Sequence, residues 1–118
     1  MEYSLGTMEY RFMMLVWKNE PVNSMQLVRM CEEQFKWKKS TTFTAIKRLQ
    51  EKGFLQNKNS IVTSLISQEE VMAEESKVVI SETFMGSLPM FVAAFLGGNT
   101  LTEEEAEEIK KLIDSNKG

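Results

Sequence analysis

The sequence predicts a mainly α chain, with three helices closed by a small β-hairpin and a second helical group behind them. Three observations predict it. Apolar residues recur at helical spacing within segments bounded by capping residues. A β-branched run, Ile61 to Ile66, follows the turn-like stretch Gln56 to Ser60. The charge also changes sign along the chain: residues 1–67 carry ten Lys+Arg against six Asp+Glu, and residues 68–118 carry four against eleven. The expected division is therefore a first domain at 1–67 and a helical region at 68–118, each facing a different partner.

Histidine is absent from the 118 residues and cysteine occurs once, which excludes intrachain disulfides, Cys/His zinc sites and imidazole-base chemistry. No cofactor, metal site or catalytic constellation is expected. The acidic run Glu103, Glu104, Glu105, Glu107, Glu108 reads as a solvated helix start, and no glycine-rich phosphate loop or nucleophile–base pair accompanies it. The longest strongly apolar stretch, Leu88 to Leu96, is far short of the roughly 20 residues that span a bilayer. With no leader-like start and one lone thiol, the expected compartment is the cytoplasm, without membrane contact.

Thr7 is the expected cap of a first helix, with Glu9 in its positive first turn and Phe12, Met13, Val16 and Trp17 on one face. It should end near Lys18, before Asn19, Glu20 and Pro21, with Val22 as a short extended link. Ser24 is the candidate cap of a second helix carrying Leu27, Val28, Cys31 and Phe35 on one stripe. Cys31 is thus a core residue, and Trp17 and Trp37 are interhelical packing groups.

A third helix fits Ser40 to Lys52, with Gly53 as its left-handed stop. Thr42, Ala45, Ile46 and Leu49 fall on one face. Ser40, Phe43, Thr44 and Lys47 fall on the other, with Thr41 and Arg48 at a flank. An outer face this short-chained, hydroxyl-rich and basic suits a DNA major groove, because small polar side chains let the helix axis approach the base edges. From Lys36 to Lys58 there are seven Lys+Arg against one acid, Glu51, the density that neutralises phosphates. Ser40, Thr41, Phe43 and Thr44 are the candidate base-facing residues. Lys36, Lys38, Lys39, Lys47, Arg48 and Lys58 are the candidate phosphate-facing ones. Arg48 has a second reading, pairing with Glu9 or Glu51 to hold the domain together, and the lysines also read as ordinary solvated side chains.

Three helices and a hairpin form a winged helix-turn-helix arrangement. A capping box, Ser67 to Glu70, with Ile66 and Val71 as its hydrophobic staple, opens a fourth helix that should reach Phe84 or Met85 and stop at Gly86. Pro89 lies in the first turn of a fifth helix. Met90 to Leu96 is apolar all round and so needs burial all round, before Gly97 and Gly98 end the helix. A second box, Thr102 to Glu105, opens a sixth, with Ala106, Ile109, Leu112 and Ile113 inward. One small domain cannot cover all of this, so 68–118 is expected to be a homodimerisation region through Phe84, Leu88, Phe91, Val92, Phe95, Leu96, Ile109, Leu112 and Ile113.

Together, Glu9-x-x-Phe12-Met13-x-x-Val16-Trp17, then Trp37, Thr41, Thr44, Arg48 and Leu49, then Lys52-Gly53-Phe54-Leu55 resemble the penicillinase repressor family of bacterial repressors. The Phe84-x-Gly86-Ser87 turn and the segments behind it extend the resemblance over nearly the whole chain. It implies a homodimeric transcriptional repressor whose third helices read a palindromic double-stranded DNA operator, with an upstream sensor or protease as a further partner. Four departures stand out. The wing tip is Lys58-Asn59-Ser60 and its exit Val62-Thr63-Ser64, where the family carries Gly-Arg and Tyr-x-Pro. Position 42 is Thr in place of an aliphatic residue. Where antibiotic-responsive members are cleaved at Asn-Phe, this chain has Ala94-Phe95, and it lacks the terminal Cys-x-Cys pairs of copper-responsive members. The inducing signal is left open. A winged-helix protein-interaction module without DNA binding is the competing reading.

Overall fold

The computed structural model describes residues 5–118; residues 1–4 of the expected first domain lie outside the described residues. Helix α1 (Thr7–Asn19) starts at the residue expected to cap it, so its cap lies one residue earlier than expected. Gly6 is the extended residue before the helix, and its N–H donates to Glu9 Oε1 at 3.0 Å. Thr7 already lies in the first turn and caps nothing. Phe12, Met13, Leu15 and Val16 are buried, and Trp17 packs half-buried against them while its indole N–H donates to the Ile66 carbonyl at 2.9 Å.

The link after Pro21 is a short strand, β1 (Val22–Asn23), and not a bare connection. Helix α2 (Ser24–Phe35) is capped by Asn23 and not Ser24: Asn23 Oδ1 accepts from Met25 N–H at 2.8 Å, and Gln26 Oε1 accepts from Asn23 N–H at 3.1 Å. Ser24 is instead buried. Lys36 ends α2 in the left-handed region at φ 60°. Helix α3 (Lys39–Glu51) begins and ends one residue before the expected bounds, and Gly53 at φ 85° turns the chain out of it.

The turn expected at Gln56 to Ser60 shrinks to two residues. Strand β2 (Leu55–Lys58) runs to the tip, Asn59 and Ser60 take positive φ of 54° and 66°, and β3 (Ile61–Ser64) returns. Two successive positive-φ residues twist the chain in the sense that matches paired antiparallel strands. β3 lies between β2 and β1, so the hairpin is part of a three-stranded antiparallel sheet with Val62 opposite both Asn57 and Val22. Glu20 locks the same sheet from outside its ladder: its carboxylate accepts from Ser64 N–H at 2.8 Å and from Ser64 Oγ at 2.8 and 2.9 Å. Helices α1, α2 and α3 with this sheet form the winged-helix architecture around a core of Phe12, Leu27, Leu49, Phe54, Leu55 and Val62.

Helix α4 (Gln68–Thr83) opens on the expected box, with Glu70 N–H donating to Ser67 Oγ at 3.1 Å and Ile66 and Val71 both buried. The chain forms two compact units, dividing between Ser76 and Lys77. The compositional break lies at 67/68; burial of Val71 and the bond from Gln68 to the Tyr10 hydroxyl at 3.2 Å join the start of α4 to the first unit.

In the second unit, Gly86 at φ 78° follows α4, and Ser87 Oγ accepts from Met90 N–H to cap α5 (Leu88–Leu96), with Pro89 in its first turn. The Thr102–Glu105 box opens α6 (Glu103–Ser115) as expected. Ile109, Leu112 and Ile113 do not point into a core of their own chain: neither α5 nor α6 has a buried residue.

Glu20→Ala removes the partner of two Ser64 donors and should lower the unfolding free energy in urea by about 2 kcal/mol. A change below about 0.5 kcal/mol would show that Glu20 is an ornament of the sheet.

Candidate nucleic-acid interface

Thr42, Ile46 and Leu49 of α3 are buried and Ala45 half-buried, so the opposite face is held outward. Ser40, Thr41, Thr44, Lys47 and Arg48 are exposed there. Phe43 is half-buried and packs against the core edge, with Lys39 Nζ lying 5.9 Å from its ring centroid. The phenyl ring is therefore less open than the wheel suggests. Thr44 Oγ donates to the Ser40 carbonyl at 2.9 Å, which commits its proton to the helix and leaves a lone pair and a methyl group facing out.

The start of α3 is basic and uncapped. Lys38 is the N-cap residue and makes no side-chain cap hydrogen bond, and Lys36 and Lys39 flank it. Cations are unfavourable at the positive end of a helix dipole, and an anion there would be favoured on both counts. The loop is nonetheless well held. Trp37 stacks on Phe12 with ring centroids 6.0 Å apart and tilts against Phe35 at 5.1 Å. Lys58 is exposed at the hairpin tip, opposite the exposed Ile61.

The Glu9 partner is Lys52, not Arg48: Lys52 Nζ lies 3.1 Å from both Glu9 oxygens. Partial burial works to raise the Glu9 pKa, but the Gly6 N–H, the Lys52 bond and charge, and the charge of Arg48 outweigh it and hold the carboxyl below its usual range. Arg48 is in no ion pair among the described residues. Its guanidinium remains available on the flank of α3. Burial pushes the Cys31 thiol up, with the Thr42 hydroxyl working against it, as expected for a core residue.

In the second unit, Phe84 and Phe91 meet edge to face at 5.2 Å. The other apolar positions are open: Leu88 is 59% exposed, Phe95 52% and Leu112 63%, and Val92, Leu96, Ile109 and Ile113 are exposed with them. Among the described residues no group of three metal-ligating side chains occurs, and no single helix is long and apolar enough to cross a membrane.

The family profile described as penicillinase repressor matches residues 5–115, spanning both units. The chain belongs to the penicillinase repressor family. It is 26% identical over 116 residues to the methicillin resistance regulatory protein MecI of Staphylococcus aureus strain Mu50, covering 95% of this chain and 94% of that protein. It is 25% identical to MecI of Mammaliicoccus sciuri over the same length, and 23% identical to the penicillinase repressor of Bacillus licheniformis over 92% of this chain and 88% of that one. Penicillinase repressor family members of these names are regulators and not enzymes. Two features of this family member were not read from the sequence. The Glu9–Lys52 pair spans 43 positions, so no local spacing marks it. The inward turn of Asn57 follows from the strand reaching Lys58, where a turn was expected.

Because the Glu9 pKa is lowered by folding, its contribution to stability is present above the unfolded carboxyl value and is lost as pH falls through the lower folded one. Glu9→Gln should therefore cost about 0.5 kcal/mol at pH 7, with the two proteins converging in urea melts as the pH falls through the lowered Glu9 value. A constant gap would contradict the ion pair.

Proposed function

We propose that this chain is a cytoplasmic homodimeric transcriptional repressor that binds a palindromic double-stranded DNA operator through α3 of each subunit. The observation that carries the reading is the outer face of α3: small hydroxyl side chains at Ser40, Thr41 and Thr44, bordered by Lys36, Lys38, Lys39, Lys47 and Arg48, on a helix with an uncapped positive end. Short side chains let α3 lie deep in a major groove. Ser40 and Thr41 hydroxyls donate or accept at base edges, Thr44 accepts or packs its methyl on a thymine methyl, and the Phe43 ring edge borders the groove. Phosphates flanking the groove sit at the α3 N-terminus among the lysines, while Lys58 follows the backbone from the wing.

Membership in a family of repressors supports the regulatory role. The exposed apolar residues of α5 and α6 support a dimer, since a second copy of the 68–118 region buries Leu88, Phe95, Leu112 and Ile113 together. Two α3 helices about one DNA turn apart then read two half-sites, and occupancy excludes polymerase. An upstream sensor or protease completes the circuit, acting on the dimer region and so on the spacing of the two helices.

Anisotropy titration of the DNA immediately upstream of the coding sequence, against scrambled duplex of equal length at 50 and 200 mM salt, tests this. The expected result is preferential, salt-sensitive binding with two subunits per site. Absence of binding to either duplex would favour a protein-interaction module. Thr44→Ala should narrow the preference for operator over scrambled DNA about fivefold, whereas Lys39→Ala should weaken both equally and flatten the salt slope by about two per dimer. The reverse pattern would exchange their roles. Phe95→Asp should reduce the sedimentation mass from twice the 13.6 kDa chain mass to the chain mass itself, with operator affinity falling by orders of magnitude; an unchanged mass would remove α5 from the interface.

A further inference from the structure

On the side of the first unit made by α1 and α2 lies a groove of about 620 Å3, floored by Met14, Leu15, Met30 and Phe35 and edged by Arg11 and Lys18. No acidic residue lines it. Arg11 and Lys18 are exposed, and among the described residues neither is in an ion pair. Nor does the neighbouring chain neutralise them: the positions three and four away hold only Thr7, Met8, Met14, Leu15, Pro21 and Val22. The two acids of this stretch are engaged elsewhere, Glu9 with Lys52 and Glu20 with Ser64. Met14, between the two cations, is 46% exposed.

Helix α4 carries the same stripe with the charges reversed. Arg11-x-x-Met14-Leu15-x-x-Lys18 is matched by Glu75-x-x-Val78-Val79-x-x-Glu82. Val78 and Val79 are 48% and 46% exposed. No Lys or Arg stands three or four positions from either glutamate, and among the described residues neither is in an ion pair. In each stripe the two charges are seven positions apart, about 10.5 Å along the helix axis and about 20° around it. Each stripe therefore presents two like charges and an apolar centre on one face.

We propose that α4 of a second copy of this chain docks in the groove, with Glu75 and Glu82 pairing with Arg11 and Lys18 while Val78 and Val79 lie on Met14 and Met30. The pattern reads the same in both directions, so a helix laid along the groove either way brings two carboxylates onto two cations. Unbranched methionine side chains adapt their shape to such a contact. The docking is reciprocal: the groove of each copy receives α4 of the other, which closes a two-fold pair and makes every contact twice. It uses none of the residues proposed to face DNA and none of the α5 and α6 positions proposed for the dimer, and so it stands or falls apart from both.

Fluorescence-detected sedimentation of the full chain over serial dilution tests this with two charge-reversed variants. One carries Arg11→Glu with Lys18→Glu, the other Glu75→Lys with Glu82→Lys. Each alone sets like charges against one another in both grooves and should raise the dissociation constant of the pair about thirtyfold at low salt, the loss of four exposed ion pairs. Mixed in equal amounts, the two variants restore opposite charges in both grooves, and the mixed pair should associate within about threefold of the unchanged chain. A variant that merely misfolds cannot be rescued by mixing. Unchanged dissociation constants in both variants would overturn the proposal and leave the groove to an acidic helix of another protein. Weakened variants that mixing fails to rescue would overturn it as well. Phe95→Asp in the same instrument keeps the two contacts distinct: dissociation there, with both charge variants still paired, sinks the groove contact alone.

Discussion

The one-sided burial of α3 is the constraint on which the other features depend. Ile46 and Leu49 are locked into a core shared with Phe12, Leu27 and Phe54, with Thr42 buried on the same face, and successive helical residues are about 100° apart. A rotation by a single position would drive Phe43 and Lys47 into that core and turn Thr42 and Ile46 to solvent. Burial of a basic side chain without a partner is far more unfavourable than the loss of any one apolar contact. The chemical character of the outer face is thus set by what the inner face cannot accept, and so are the residues available to a groove.

The sheet performs the same service for the wing. With β3 in the centre, bonded to β1 on one side and β2 on the other, and with Glu20 holding Ser64, the hairpin has little freedom to slide. A one-residue slip would exchange Val62 for Ile61 on the core side. The fixed register aims Lys58 and Ile61 at the tip and keeps Asn57 beneath α3.

Much of this was legible in the amino-acid order because the signals are local. Apolar spacing identified the inner face of α3, and the boxes at Ser67 and Thr102 predicted the starts of α4 and α6. Failures arose where neighbouring residues compete for one role. Thr7 and Ser24 are better capping types on paper than Gly6, but the extended residue immediately before each helix takes the cap, and there Gly6 and Asn23 stand. Arg48 and Lys52 both lie within reach of the Glu9 charge, and only the folded chain brings Lys52 to bonding distance. The pairing of β1 with β3 and the unpaired Asn57 oxygen are long-range results of strand register, which composition does not encode. The amphipathic pattern of α6 was read correctly as a stripe, yet a stripe does not say whose residues cover it.

The central claim is that the exposed half of α3, with the wing tip beside it, is the surface of the first unit that meets DNA. Backbone 15N–1H mapping of the full chain during titration with a 20-base-pair duplex tests it most directly. The account predicts that shifts concentrate at residues 38–48 and at 58–61, while the exposed positions around Met14 and Gln34 stay quiet. Shifts confined to those latter positions, with α3 unmoved, would contradict it.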